Sequence, residues 1–217
     1  MQFQNIRAVI FDLDGTLLDT LTDLMNAVNH ALTVYGFPVR TREEVRTFVG
    51  NGLAKLVSRA LPNGSSTPLY ADVLAETKRH YAEHCRDNTA PYAGIPEMLR
   101  ELHQKGFLLG VVSNKPDAQV KALCQSDFGD LISFAAGASD GVRMKPAPDT
   151  LLACMKALHC KPAETVYVGD SDVDIQTAAN AGVPCISVLW GFRDRAFLTA
   201  SGAGIFAQSP CEICRFF

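Results

Sequence analysis

The stretch Ala8-Val9-Ile10-Phe11-Asp12-Leu13-Asp14-Gly15-Thr16 decides the fold. Four apolar residues run on and stop at an acid, which is how a strand buried on both faces of a parallel sheet reads. Open parallel sheets place their ligands at the carboxyl ends of the strands, where Asp12 and Asp14 stand. Residues two apart in extended chain point the same way, so both carboxylates face one crevice, and Gly15 lets the backbone turn away beneath them. A strand-end Asp-x-Asp-Gly can also do no more than cap a turn, and this stretch alone leaves both readings open.

Similar apolar runs recur downstream at Leu108 to Val112, Thr165 to Val168 and Cys185 to Leu189, with a weaker one at Ile132 to Ala135. Each follows a helical stretch and a turn, the alternation that a parallel α/β sheet requires. The span between the first strand and Leu108 is far longer than one crossover helix needs, so it predicts an inserted module. Its periodicity is helical: Leu21, Leu24, Val28 and Leu32 share a face, Thr41 with Glu44 forms a capping box, Leu53 to Leu61 repeats the helical period, and Leu69 to Cys85 supplies a further helix. The expected organisation is therefore an α/β, Rossmann-like core of residues 1–19 and 89–217, with an all-helical cap of residues 20–88 inserted through two linkers that make a hinge.

The chain has 217 residues, 47% of them hydrophobic and 20% charged, with a net charge of −3, enough to bury a core and a second lobe. That charge balance excludes an extended nucleic-acid surface and directs attention to a small-molecule partner. Seven cysteines are scattered through apolar stretches and read as reduced core thiols. Residues 1–7 lack a signal-peptide pattern and no apolar run is long enough to span a bilayer, so the expectation is a cytoplasmic protein that does not engage membranes, as a monomer or homodimer.

Three further stretches bring chemistry to the same sheet edge. Gly169-Asp170-Ser171-Asp172-Val173-Asp174 follows the run ending at Val168 and adds carboxylates suited to a hard cation such as Mg2+. A helix N-terminus favours acids through its dipole, which accounts for Asp172 better than for Asp170 and Asp174. Ser113-Asn114 ends the second strand, and Lys145-Pro146 lies in a loop before the helix near Pro148. Alone, Ser113 reads equally as a helix cap and Lys145 as a solvated lysine. With the acids they complete an anion site, because a hydroxyl, backbone amides and an ammonium can hold phosphoryl oxygens.

These four motifs, in this order and at these strand ends, resemble the haloacid dehalogenase superfamily. The helical insert after the first motif, with Phe48-Val49-Gly50-Asn51-Gly52 and Leu56-Val57-Ser58-Arg59-Ala60-Leu61, resembles its phosphoglycolate phosphatase branch. The resemblance implies a Mg2+-dependent phosphatase acting on a small phosphorylated metabolite, 2-phosphoglycolate first, through an aspartyl phosphate. It assigns Asp12 as nucleophile and Asp14 as general acid and base. Mg2+ would sit on Asp12, the backbone carbonyl of Asp14, and Asp170, with Asp174 behind them acting on the ligands or through water. Ser113, the Asn114 amide and Lys145 would bind the transferring group, with Thr16 counted among the phosphate-binding residues and orienting Asp14. Alternatives are a pyrophosphatase or sugar-phosphate phosphatase of the same chemistry, and a non-catalytic phosphometabolite-binding module, which the intact Asp12, Asp14, Lys145 and Asp170 argue against. In the resembling sugar-phosphate mutases a lobe histidine stands where this chain has Leu24, which disfavours mutase chemistry.

Other features read as ordinary structure. Cys211 and Cys214 lie on a short terminal helix that Ser209, Pro210 and Glu212 are expected to cap, with no second pair for a metal. His80 and His84, four apart on a helix, lack an evident acidic or cysteine partner and read as helix surface. Arg46, Lys55 and Arg59 are candidates to reach a substrate carboxylate, with solvation the competing account.

Overall fold

The computed structural model describes residues 2–217. The chain forms β1 (Ala8–Phe11), β2 (Leu18–Asp19), helices α1 (Leu21–Val34), α2 (Arg42–Phe48), α3 (Gly52–Ala60) and α4 (Tyr70–His84), then β3 (Ala90–Pro91) and α5 (Ile95–Gln104). It continues through β4 (Leu108–Pro116), α6 (Asp117–Phe128), β5 (Phe134–Ala138), α7 (Asp149–Ala157), β6 (Thr165–Gly169) and α8 (Asp172–Ala181). It ends with β7 (Cys185–Val188), α9 (Arg195–Ala200), β8 (Phe206–Ala207) and α10 (Pro210–Ile213). Two compact units result, one made of residues up to Leu18 together with Pro91–Phe217, the other of Asp19–Ala90.

The first unit is a six-stranded sheet in the order β5-β4-β1-β6-β7-β8. Every ladder is parallel. Alternation along β1 divides its side chains between two cores: Val9 and Phe11 pack with Leu109, Val111, Val166 and Val168, whereas Ala8 and Ile10 pack on the other face with Val112 and Tyr167. The strand expected from Ile132 to Ala135 instead runs from Phe134 to Ala138, because its ladder with β4 begins at Gly110 opposite Phe134. At the far terminus Ser209 makes no capping bond; Glu212 accepts from the Gln208 N–H, and Cys211 and Cys214 are both free thiols.

The position of the site follows from register. β1 lies between β4 and β6, the point where strand order reverses and a crevice opens. Phe11 is level with both Val111 and Val168. Two residues beyond that row, the three chains deliver Leu13, Ser113 and Asp170, one step past Asp12, and the Asp12 N–H donates to the Val168 carbonyl at 2.9 Å.

The second unit is helical, with α1 packed on α4 and α2, and α3 on α4. Thr41 and Glu44 form the capping box that starts α2. Leu24 is buried with Ala27, Val28, Ala31 and Leu32 in the apolar face of α1. Among the described residues no helix is long and apolar enough to cross a membrane.

Asp23 secures the C-terminal end of this unit. It is 2% exposed on α1 and accepts from Asn88 N, Asn88 Nδ2, Thr89 N and Thr89 Oγ1 at 2.8–3.0 Å. Burial raises the pKa of its carboxyl, but the Asn88 and Thr89 donors outweigh that and hold it below the ordinary value. The stability this contributes is complete above the unfolded-state pKa of about 3.9 and is lost as pH falls through the lower folded-state value. Asp23→Ala is expected to cost about 2–3 kcal/mol at about pH 7 in urea denaturation, with the gap to the parent closing at about pH 3 and below. An equal gap at both pH values would show that the carboxylate charge contributes nothing.

Candidate active site

Lys145 organises the cluster at the strand ends. Its side chain is 2% exposed, and Nζ donates to Asp12 Oδ1 at 2.7 Å, Asp174 Oδ1 at 2.8 Å and the Tyr167 hydroxyl at 2.9 Å. All three ammonium protons are thereby satisfied. Burial lowers the pKa of this amine, yet the adjacent Asp12 and Asp174 carboxylates overcome it and the pKa stays raised, so Lys145 remains charged. The loop carrying it is fixed by Asn114: Lys145 N donates to Asn114 Oδ1 at 2.8 Å, and Asn114 Nδ2 donates to the Lys145 carbonyl at 3.0 Å.

Asp12, Asp170 and Asp174 are all buried, and each presents a carboxylate oxygen within 4.8 Å of the others. Three carboxylates around one ammonium leave an excess of negative charge. Burial, partly countered by Lys145 and reinforced by Asp174 and Asp170, lifts the Asp12 pKa well above the ordinary carboxylate value. Burial and the Asp174 charge push Asp170 up to about 7, against the pull of the Phe192 N–H, Arg193 and Lys145. Tyr167 is likewise raised by burial and by Asp174 and Asp12, and so serves as a neutral donor. Such a hard, oxygen-only, over-charged donor set fits a divalent cation.

Asp170 is caged. Phe192 N donates to its Oδ2 at 2.7 Å, and Thr16 Oγ1 donates to its Oδ1 at 3.3 Å. A Cβ on Gly15 would stand 2.5 Å from Oδ2, and one on Gly191 would overlap Asp170 and the Gly15 carbonyl. Gly15 is also in the left-handed region, at φ +88°, where only glycine sits without strain. Thr16 is fully buried and its hydroxyl is directed at Asp170, a partner that the sequence reading did not name. Trp190 Nε1 donates to the Thr16 carbonyl at 2.9 Å, tying the same loop to the turn after β1.

Asp174 has its four acceptor positions used, Oδ1 by Lys145 and Tyr167, and Oδ2 by Ser171 N at 3.1 Å and Ser171 Oγ at 2.6 Å. Asp14 stands apart from the triad. Its Oδ1 is 3.1 Å from Lys115 Nζ, a lysine side chain 2% exposed. Ser113 is buried at the end of the extended run, its Oγ accepting from Lys115 N at 3.3 Å.

Sequence reasoning missed Lys115, Tyr167, and the Gly191-Phe192 pair. Lys115 follows Ser113-Asn114 directly and carries the available signal, a cation beside a strand end rich in acids. Tyr167 is the one aromatic in the Thr165–Gly169 strand, and a buried hydroxyl calls for a partner. Nothing in the sequence near Gly191 points to Asp170.

A parallel sheet with a buried triad of aspartates, an ammonium and a buried serine at its switch point presents donors suited to a cation and to an anionic group. The haloacid dehalogenase-like hydrolase family model matches residues 9–188, and the chain belongs to that family. It is 35% identical over 213 residues to the phosphoglycolate phosphatase of Salmonella typhimurium, covering 88% of this chain and 84% of that one. To the phosphoglycolate phosphatase of Escherichia coli K12 it is 33% identical over 229 residues, covering 96% and 91%. A solved phosphoglycolate phosphatase-like chain from Lactobacillus delbrueckii subsp. bulgaricus superposes with a TM-score of 0.93 at 35% identity, covering 98% of each chain. CbbY from Rhodobacter sphaeroides, solved in complex with phosphate, superposes with a TM-score of 0.75 at 26% identity, covering 96% of each. Fold, family and relatives together make the chain a hydrolase of small phosphate esters.

The raised carboxylates carry a pH signature. Without metal, Asp170 in the fold takes up a proton between the unfolded value of about 3.9 and its own value of about 7, so its contribution to stability falls as pH rises through that window. A dication that prefers the ionised carboxylates opposes this fall. In EDTA, the Tm of the parent relative to Asp170→Asn is expected to decline from about pH 5 to about pH 8, and Mg2+ is expected to raise the parent's Tm more at the higher pH. An increment independent of pH, or equal in Asp170→Asn, would contradict the assignment.

Proposed function

We propose that the chain is a Mg2+-dependent phosphatase that hydrolyses 2-phosphoglycolate through an aspartyl phosphate on Asp12. The observation that carries this reading is the Asp12 carboxylate itself. It is buried at the switch point with Oδ1 held by Lys145, which fixes the carboxylate in orientation and leaves Oδ2 as the oxygen to attack phosphorus. Support for the substrate comes from the relatives named phosphoglycolate phosphatase at 33–35% identity along most of the chain.

Asp12 and Asp170, with the backbone carbonyl of Asp14, would hold Mg2+, whose charge, when bound, neutralises the phosphoryl oxygens. Asp12 Oδ2 forms the new bond to phosphorus as the bond to the substrate's ester oxygen breaks. Asp14 gives that oxygen a proton, so that it leaves as an alcohol. In the second step Asp14 takes a proton from the water that attacks the aspartyl phosphate, and Asp12 is restored with inorganic phosphate released. Ser113 Oγ and the Asn114 backbone amide receive the phosphoryl oxygens, while the Lys145 ammonium, its three protons held by Asp12, Asp174 and Tyr167, offsets their charge through space. Asp174 acts on Lys145 and Ser171, keeping the ammonium pointed at Asp12. Lys115 holds Asp14 at the rim of the cluster between proton transfers.

Phosphate release with Mg2+ from a panel of phosphorylated metabolites is expected to give the highest kcat/KM for 2-phosphoglycolate; a sugar phosphate or pyrophosphate in first place would replace the substrate assignment. Asp12→Asn should abolish turnover in a folded protein. Asp14→Asn should cripple hydrolysis of alkyl phosphates far more than phosphoryl transfer from an aryl phosphate, whose phenolate needs little protonation. With the aryl substrate this variant should release a burst of phenol and accumulate a phosphoryl group on Asp12, read by mass. Uniform loss on both substrates without a burst would remove the acid-base role from Asp14.

A further inference from the structure

The helical unit carries a second cluster of ligating side chains that hydrolysis does not use. His30 on α1 and His80 and His84 on α4 stack in a row, with ring centroids 4.2 Å apart for His30 and His80 and 4.4 Å apart for His80 and His84. The ring planes are tilted by 31° and 33°. In sequence only the pair on α4 was visible, with no acidic partner. The fold supplies a third imidazole and two carboxylates. His30 Nε2 lies 2.8 Å from Glu76 Oε1, and His84 Nδ1 lies 2.9 Å from Asp87 Oδ2.

Each carboxylate fixes a tautomer. The nitrogen facing it carries the proton, so a lone pair remains on His30 Nδ1 and on His84 Nε2. The same arrangement, a carboxylate behind a histidine, orients metal-binding imidazoles and raises their basicity. Between these two rings, His80 Nδ1 is buried without a hydrogen-bond partner. The three rings line an open cavity of about 530 Å³ together with the side chains of Asn26 and Asn29.

We propose that His30, His80 and His84 form a site for a transition-metal dication of the Zn2+, Ni2+ or Co2+ class, which clamps α1 to α4. Metal–nitrogen distances of about 2.0–2.1 Å put the centroids of two imidazoles on one ion about 4.5–5 Å apart, a spacing that each neighbouring pair already approaches and that the outer pair, His30 and His84, reaches only by closing on the ion. Among the described residues, three donor atoms converge within 4.8 Å only at Asp12, Asp170 and Asp174, so the histidine site closes when the outer rings turn inward with the Glu76 and Asp87 carboxylates following them. The ring of His84, exposed on the last turn of α4, has room to turn. Imidazole nitrogens select this class of metal, whereas Mg2+ keeps to oxygen, so the two centres divide their ions by chemistry.

The test is a Co2+ titration of the full, tag-free chain in excess Mg2+, followed by calorimetry and visible absorption. The expected result is one equivalent of Co2+, with d–d bands of nitrogen-ligated cobalt, no thiolate charge-transfer band, and a raised Tm. His30→Asn and His84→Asn should each weaken Co2+ at least about tenfold, and Glu76→Gln by about 10- to 100-fold, with Mg2+-dependent turnover unchanged. His84 is exposed, so its variant keeps the fold and can be read even where His30→Asn does not. Failure to bind Co2+ under Mg2+ saturation, parent affinity in a folded His84→Asn protein, or a thiolate band marking cysteine ligation would each overturn the site.

Discussion

The ammonium of Lys145 sits at the centre of the sheet's carboxyl edge with no water to turn to. Its three protons go to Asp12, Asp174 and Tyr167, and each partner comes from a different segment of the chain. Removing one partner of such a buried pair costs about 3–5 kcal/mol, because the remaining charge has nowhere to go. The cluster therefore holds only if the β1 end, the β6 strand and the first turn of α8 all arrive in register. Asn114 extends the constraint to β4 by clasping the Lys145 main chain from both sides. The residues proposed to carry the chemistry are thus also the ones that pin three strands and a helix together at one nitrogen.

Register is what makes that arrangement attainable. Asp12, Ser113 and Asp170 lie within a step of each other only because Phe11 is level with both Val111 and Val168. A slip of one residue in either ladder would turn a full row of side chains to the opposite face. The alternation of Val9 and Phe11 against Ala8 and Ile10 forbids that slip, since each pair is packed in its own core. Hydrophobic burial thus sets the geometry of the charged residues beyond the strand ends, at no cost to their chemistry.

Asp12, Asp14, Asp170 and Asp174 were legible because each follows an apolar run that marks a strand, and the run fixes both the depth and the direction of what comes next. Thr41 and Glu44 were legible for the same local reason, a cap being written within four residues. Partners brought together by the fold were not. Lys145 and Asp12 are 133 positions apart, Thr16 and Asp170 are 154, and Lys115 and Asp14 are 101. The Thr16 hydroxyl meets an aspartate that follows another strand, a partner its sequence neighbours do not reveal. His30 failed to register beside His80 and His84 because its helix lies far upstream of theirs, and helix packing alone joins them.

The cage around Asp170 leaves no room for a side chain at the glycines that line it. Gly15 and Gly191 approach so closely that a methyl group on either would meet the carboxylate, and Gly169 is crowded in the same way by Asp174. Backbone pressed against a carboxylate leaves its oxygens no rotational freedom, so their directions are set by the Thr16 hydroxyl and the Phe192 N–H. A carboxylate so constrained cannot swing to follow a large ion through many coordination geometries. It suits a small cation with short, rigidly directed oxygen bonds better than a large one with a flexible shell.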